Sequence, residues 1–419
     1  MSKPSLFTPQ ETKGILSLGT IMFSHMLGLF LILPVFSLLA KESLTNASNA
    51  TVGLAMGAYG LTAACLQVPL GVWSDKVGRK PVLAFALLLF VSGSLLAAMA
   101  DSIELMILAR LIQGAGAVSA PLFALIADLT RPEVRARANA GLGGAVGLSF
   151  GISMSLSPLL AGWVGLHGIF WIISALACVS MLLLFTVVPS PLERATTKEP
   201  VLQLLKLTLA NRELRIINLG AFASKMGLSA VFFMLPFTLR GLGLDKADWW
   251  KIYLPLLLVG GVAMVPAAIM AEAKNKFKQV MATGIATMLV AFGLLAWFWG
   301  EAHLVARLVA IFLFFMAFNV FEPLFPSLVT RLSTAESKGT ASGVYNLSQF
   351  LGLALGSILA GLLYAQTLPY LAGALALVAL AFGFALRGFA NPPPRQAHAA
   401  TAPVSDLEEQ TAEAAAEQV

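Results

Sequence analysis

Charge is what this chain has least of. Asp, Glu, Lys and Arg make up 11% of it, against about 25% in an ordinary soluble domain, so it is not built to be wetted all round. Cysteine is nearly absent. Cys65 and Cys178 both fall inside apolar runs, which leaves no disulfide framework. The four histidines, His25, His167, His303 and His398, are scattered and offer no metal cluster. No nucleophile–base constellation accompanies them, and no phosphate-cradling P-loop is present. Strand-period alternation is also missing, which excludes an outer-membrane barrel. Neither an enzyme, a cofactor nor a metal is expected.

What the chain has in quantity is long apolar runs. It is 58% hydrophobic with a mean hydropathy of +0.84. Runs of about 20 apolar residues recur along it, each long enough to cross a hydrocarbon core as a helix. The expected fold is all-α and integral to the membrane. Twelve helices are placed at about 14–39, 51–72, 81–100, 103–128, 138–163, 166–188, 214–240, 250–271, 279–300, 304–330, 339–365 and 367–388. The first run is too long for a cleavable signal peptide and lacks a small-residue cleavage site, so it reads as a retained span. The polar stretch 189–213 divides the chain into six-helix halves, 1–188 and 214–388. An Ala/Glu/Gln-rich tail, 389–419, is expected to be disordered and cytoplasmic.

Orientation follows from the basic residues. Of 27 Lys and Arg, 20 fall on the side of the N-terminus and only Lys41, Arg240, Lys246, Lys251 and Arg307 on the other. Both termini are therefore expected in the cytoplasm. The net charge of +6 is a topology signal, not the footprint of a nucleic-acid partner. Arg110 and Lys225 remain, inside spans, where a cation is costly.

The most specific stretch is Gly71-Val72-Trp73-Ser74-Asp75-Lys76-Val77-Gly78-Arg79-Lys80, between the second and third runs. Its pattern, G-x-x-x-D-[RK]-x-G-[RK]-[RK], resembles the signature loop of the major facilitator superfamily. The halves also echo each other, as that fold's pseudo-twofold requires. Pro121-Leu122-Phe123 recurs as Pro323-Leu324-Phe325, and Leu129-Thr130-x-x-Glu133-x-Arg135 as Leu332-Ser333-x-x-Glu336-x-Lys338.

The resemblance implies a conformational latch made by Gly71, Asp75, Lys76, Gly78, Arg79, Lys80, Asp128 and Arg135. Asp75 would face the start of the eleventh helix near Lys338-Gly339-Thr340, and Arg79 would reach Asp128, stabilising an outward-open state. The plainer reading is a topogenic charge cluster, but Asp75 and the two glycines do nothing for topology. Arg110-Leu-Ile-Gln113-Gly114-Ala-Gly116 is similar to a second family motif, which implies a proton-coupling role for Arg110. A structural arginine bonding a neighbouring helix is the alternative. Leu27-Gly28 followed by Pro34-Val35 is similar to a motif of the twelve-span drug/proton antiporter branch. That branch's fifth-helix motif is eroded here, with Ser153, Ser157 and Ala161 in place of glycines.

Lys225 and Glu322 carry the sharpest chemistry. At about 1.5 Å per helical residue they lie roughly 16 Å and 12 Å from the same side of the membrane, so contact is possible. Apolar surroundings favour a neutral Glu322 and the ammonium a charged one, a competition suited to a proton carrier. A fixed structural ion pair is the competing reading. His25, at mid-depth in the first helix, could titrate or simply be a hydrogen-bonded structural residue. Candidate cavity residues are Phe233, Phe237, Phe318 and Phe321, with Gln113, Asn319, Tyr345 and Gln349; ordinary packing is the alternative for the aromatics.

Segments such as Trp250-Lys251-Ile252-Tyr253-Leu254 and Lys338-Gly-Thr-x-x-Gly343-Val-Tyr345-x-x-Ser348-Gln349-Phe-Leu-Gly352 are similar to YajR-type bacterial transporters. That likeness implies a proton-coupled antiporter in the inner membrane, exporting small amphiphilic compounds or drugs by alternating access. Proton-coupled metabolite uptake is the alternative, and a nontransporting membrane sensor a further one. The expected partners are a small-molecule substrate, protons and the bilayer, with the chain a monomer. Where that subgroup carries a soluble C-terminal domain, this sequence has the short tail.

Overall fold

The computed structural model describes residues 7–189, 201–298, 303–334, 337–364 and 368–393. Every described element longer than a turn is helical. In chain order these are α1 (Pro9–Ile32), α2 (Phe36–Ser43), α3 (Asn49–Val77), α4 (Arg79–Ala98), α5 (Ile103–Ala115), α6 (Ser119–Leu129) and α7 (Pro132–Thr186), then α8 (Val201–Ala210), α9 (Arg212–Gly241), α10 (Trp250–Ala273), α11 (Phe277–Trp297), α12 (Leu304–Leu332), α13 (Lys338–Leu363) and α14 (Leu368–Leu386). Among the described residues, eleven helical stretches are long and apolar enough to cross a membrane. One of them, Glu133–Thr186, is 54 residues long and is interrupted at Gly165, whose φ of 65° breaks the helix. The fold is all-α and polytopic.

Local chemistry sets the breaks. Thr8 and Glu11 form a reciprocal capping box that starts α1. The same Glu11 carboxylate accepts from Arg131 Nε at 2.8 Å and Nη2 at 3.1 Å, tying the start of α1 to the start of α7. Those bonds lift the Arg131 guanidinium above its already high ordinary pKa. At Leu33-Pro34-Val35 the first apolar run stops being helical, since proline cannot donate into the ladder, and α2 begins afresh. The expected single helix over 14–39 is thus two. The expected span at 103–128 is also two helices, parted at Gly116-Ala117-Val118. Within the stretch read as a polar connection, Val201–Ala210 forms a helix that packs on α9 and α13.

Helices α1 to α7 pack among themselves, as do α9 to α14. The two groups meet where α3 crosses α13, where α2 touches α9 and where α7 touches α10. Two faces can be told apart by their contacts. The near face carries the 71–80 loop, with Arg79 bonded to Asp128 and Arg131 to Glu11. The far face carries the turn before α3, where Thr45 bridges to Ser102.

The C-terminal stretch also departs from expectation. Asn391 Oδ1 accepts from the Lys278 backbone N–H at 3.0 Å and its Nδ2 donates to the Asn275 carbonyl at 2.9 Å. Asn275 Nδ2 donates to the Pro392 carbonyl at 3.0 Å. Residues 389–393 are therefore docked on the α10–α11 turn rather than free; the rest of the expected tail lies outside the described residues.

Candidate functional site

The near-face loop is organised around Arg79. Its helix starts at a sharp turn, because Gly78 sits at φ 117°, a region unfavourable to residues with a Cβ. The Arg79 guanidinium pairs with Asp75 one turn back. It also donates to Ser74 Oγ at 2.8 Å and to Asp128 Oδ2, at the end of α6, at 3.1 Å. Arg135 donates to the Ala127 carbonyl at 2.8 Å, and Lys80 to the Val188 carbonyl at 2.5 Å. Lys76 stays exposed, and a Cβ placed on Gly71 would meet only the Ala120 Cβ, at 4.0 Å. These bonds all remain within α1–α7 and the residues just after α7. Among the described residues no hydrogen bond or ion pair joins Asp75 to the start of α13, and a Cβ placed on Gly339 would meet nothing within 4 Å.

The far face is the opposite: there the two helix groups are locked together. Ser37 Oγ donates to the Phe233 carbonyl at 2.9 Å, and the Tyr253 hydroxyl to the Pro34 carbonyl at 2.7 Å. Glu42 accepts from Arg240 at 3.0 Å and from Lys246 at 2.5 Å. Backbones also meet. A Cβ at Gly57 would lie 2.7 Å from the Ala354 carbonyl, and one at Gly60 2.7 Å from that of Phe350. Only glycine lets α3 lie this close to α13. The two helix groups are thus held together at the far face.

Between these faces Lys225, in α9, bonds Glu322, in α12. The ammonium also sits over the Phe318 ring, 4.8 Å from its centroid, a favourable placement for a cation. Tyr345 of α13 lies within the electrostatic reach of Glu322. Gln349, one helical turn further along the same face, donates to Asn346 Oδ1 at 3.3 Å. Glu322 is partly exposed while Lys225 is nearly covered. The two charges thus meet at a boundary between packing and accessible space.

A second polar cluster is fully enclosed by the N-terminal helices. Arg110 donates to Gln113 Oε1, Gln113 Nε2 to Ser94 Oγ at 2.8 Å, and Ser94 Oγ to the Phe90 carbonyl at 2.6 Å. The guanidinium lies over the Tyr59 ring at 4.9 Å, and its Nε has no hydrogen-bond partner. His25 packs at a tilt against Phe90, ring centroids 4.2 Å apart, buried, with Nδ1 unpaired. It is neither hydrogen-bonded through that nitrogen nor open to a cavity.

Most of the other candidate cavity residues are buried or packed against neighbouring helices in this conformation. Gln113 is wholly buried within its polar chain. Phe321 points to the other side of α12, stacked on Phe325 and edge-on to Phe382 of α14. Asn319 donates to its own helix at Phe315 and packs on Gly260 of α10. Phe233 and Phe237 pack with Tyr364 in the far-face closure, so they belong to a seal. Phe318 is buried apart from its contact with the Lys225 ammonium. Tyr253, Ser37 and Glu42 were missed as far-face contacts, because nothing in their spacing marks them.

This arrangement sets a charge pair among membrane-spanning helices that form two groups joined at one face. Residues 18–357 match the model of the Major Facilitator Superfamily, and the chain belongs to that family. It is 40% identical over 357 residues to the inner membrane transport protein YajR of Escherichia coli (strain K12), covering 84% of this chain and 78% of that one. Over 147 residues it is 33% identical to the class E tetracycline resistance protein of Escherichia coli, 35% of each chain. The crystal structure of a bacterial homologue of the human lysosomal transporter Spinster superposes with a TM-score of 0.74 at 16% identity, covering 91% of this chain and 98% of that one. The chain is a multi-pass membrane protein housed in the bilayer and a secondary-active transporter of small molecules, not an enzyme.

Proposed function

We propose that the chain is a proton-coupled antiporter that exports small amphiphilic compounds by alternating access across a bacterial inner membrane, and acts as a monomer. Counting the interrupted 54-residue stretch as two spans gives twelve. They divide into halves at 1–188 and 214–388, joined by 189–213. The basic residues put the near face, with both termini, in the cytoplasm. On that reading the conformation described above is inward-open, and the near-face latch belongs to the outward-open state that alternates with it.

The observation that carries the proton coupling is the Lys225–Glu322 pair. Paired, the two side chains cancel each other's charge among apolar helices. A proton on Glu322 dissolves the pair and leaves Lys225 as an unpaired cation over the Phe318 ring. An uncompensated charge in such surroundings costs several kcal/mol, so the protonated protein favours whichever arrangement gives the ammonium water or an anion. Proton occupancy and conformation are thereby linked. Tyr345 and Gln349, one turn apart on α13, serve as substrate contacts on this reading, and the likeness to an inner membrane transport protein and to a tetracycline resistance protein supports transport of small molecules.

The test uses purified protein in liposomes with an imposed pH gradient, following both compound and proton flux for lipophilic cations and neutral drugs. Opposed, coupled fluxes in the wild type that uncouple in Glu322→Gln are expected. Pairwise movement of compound and proton in the same direction establishes uptake instead. Undiminished coupling in Glu322→Gln removes the pair from the mechanism.

A further inference from the structure

The Lys225 ammonium has two neighbours on α12, and both come from one face of that helix. Glu322 pairs with it, and Phe318, one helical turn earlier, lies under it with the ring centroid 4.8 Å away. Among the described residues this ammonium has no other hydrogen bond, ion pair or ring contact. A cation within about 6 Å of a ring centroid is drawn to the negative face of the ring, more strongly where water is excluded. Both conditions hold, since Lys225 is nearly covered and Phe318 is buried. The ring is also held in place. Phe318 stacks on Phe314, centroids 6.2 Å apart, and meets Phe315 edge-on at 6.3 Å. Phe314 in turn packs on Phe292 of α11 and on Gly227 of α9, where a Cβ would lie 2.5 Å from Phe314 Cε2. The aromatic block is thus seated against the helix that carries Lys225.

What a fixed ring contributes depends on the charge state beside it. With Glu322 ionised, ammonium and carboxylate in contact present the ring with a dipole, whose field falls off faster than that of a single charge. With Glu322 protonated, the ring meets the whole cation. Its attraction is then larger, and it offsets part of the cost of leaving the ammonium without an anion. Few other groups bear on this balance. Tyr345 of α13 faces the carboxylate. Every other charged residue of α9 to α14 lies in the first or last turn of its helix. Tyr253 is bonded to the Pro34 carbonyl, and Tyr370 is exposed. On the shorter helices packed against α9, Lys206 of α8 is exposed, and Lys41 and Glu42 of α2 are engaged at the far face.

We propose that Phe318 is a positioning residue for proton coupling: its ring is a second seat that holds the Lys225 ammonium when Glu322 takes up a proton, and so sets the pH range over which the pair opens. This rests on the proton-carrying role of Glu322 proposed above, and it does not depend on which compound is carried.

The experiment titrates the full chain, reconstituted in lipid without any transported compound, and follows the Glu322 carboxyl by infrared difference spectroscopy. The carbonyl band missing from Glu322→Gln identifies that group. Phe318→Leu removes the ring and should move the midpoint of the band toward acid by about one pH unit. Progressively fluorinated phenylalanines at position 318 keep the packing while weakening the negative face, and they should move the midpoint the same way in steps. In a Lys225→Met background both shifts should collapse. A shift in Phe318→Leu that the fluorinated series does not reproduce would assign the ring to packing and overturn the proposal. Equal shifts in the Lys225→Met background would overturn it too, since the ring would then act on the carboxyl directly. A wild-type chain with no titrating Glu322 band defeats the proton reading itself, whereas a band that titrates at a midpoint indifferent to the ring overturns only the role of Phe318.

Discussion

The Tyr253 hydroxyl of α10 donates to the Pro34 carbonyl over 2.7 Å, in a site with no exposure of the tyrosine. The proline breaks the first helix, and the break leaves a carbonyl turned toward the other helix group. One residue thus ends an element and supplies the acceptor that closes the far face.

Tyr253→Phe keeps the ring and removes the donor. In the closed arrangement the Pro34 carbonyl is then buried without its partner, at about 1–3 kcal/mol; in the open one, water satisfies it. The balance should shift toward far-face opening. Maleimide labelling of Ser357→Cys, a position wholly buried in the seam, should speed up in a background lacking Cys65 and Cys178. Unchanged labelling would mean that the bond adds nothing to closure.

Gly57→Val introduces a branched side chain where even a Cβ would press on the Ala354 carbonyl and Ile358. Far-face closure should fail and transport should stop, while the membrane-inserted yield stays near normal. Retained transport would show that α3 and α13 can part here without consequence.

Asp75→Asn and Asp128→Asn should separate. Asp75 is partly exposed, and its loss leaves Arg79 bonded to Asp128 and Ser74. Transport should slow with thermal stability unchanged. Asp128 is nearly covered, and breaking a buried pair costs about 3–5 kcal/mol, so that variant should melt clearly earlier. Equal melting temperatures would refute the distinction.

Truncation after Pro393 should be silent, whereas truncation after Ala390 removes Asn391 and Pro392 and their hydrogen bonds to the α10–α11 turn. At about 0.5–1.5 kcal/mol for each bond, the shorter chain should lose a few degrees in melting temperature. Identical melting curves would show that the docking contributes nothing.

How much of this was legible beforehand depended on whether a residue stood out from an apolar background. Arg79 and Asp128 did, as charges beside long hydrophobic runs, and so did Lys225 and Glu322, whose matching depths anticipated their contact. The faces of Phe321, Phe233 and Gln113 did not. A membrane helix is apolar on every side, so the periodicity that tells inside from outside in a soluble helix is missing. The α3–α13 seam left a readable trace in Gly53, Gly57 and Gly60 opposite Ala354, Ser357 and Gly361, since small residues mark close helix approach in lipid. The helix at Val201–Ala210 was obscured by the charged, proline-containing stretch before it. Asn391 was hidden because a docked asparagine and a free one look alike in a polar tail.

The bonds from Glu42 to Arg240 and Lys246 lie where water reaches them, and exposed pairs of this kind contribute about 0–1 kcal/mol and are screened by salt. The tight part of the same closure is backbone against backbone along α3 and α13, which has no charge to screen. Closure of the far face should therefore hold steady from dilute to saline surroundings.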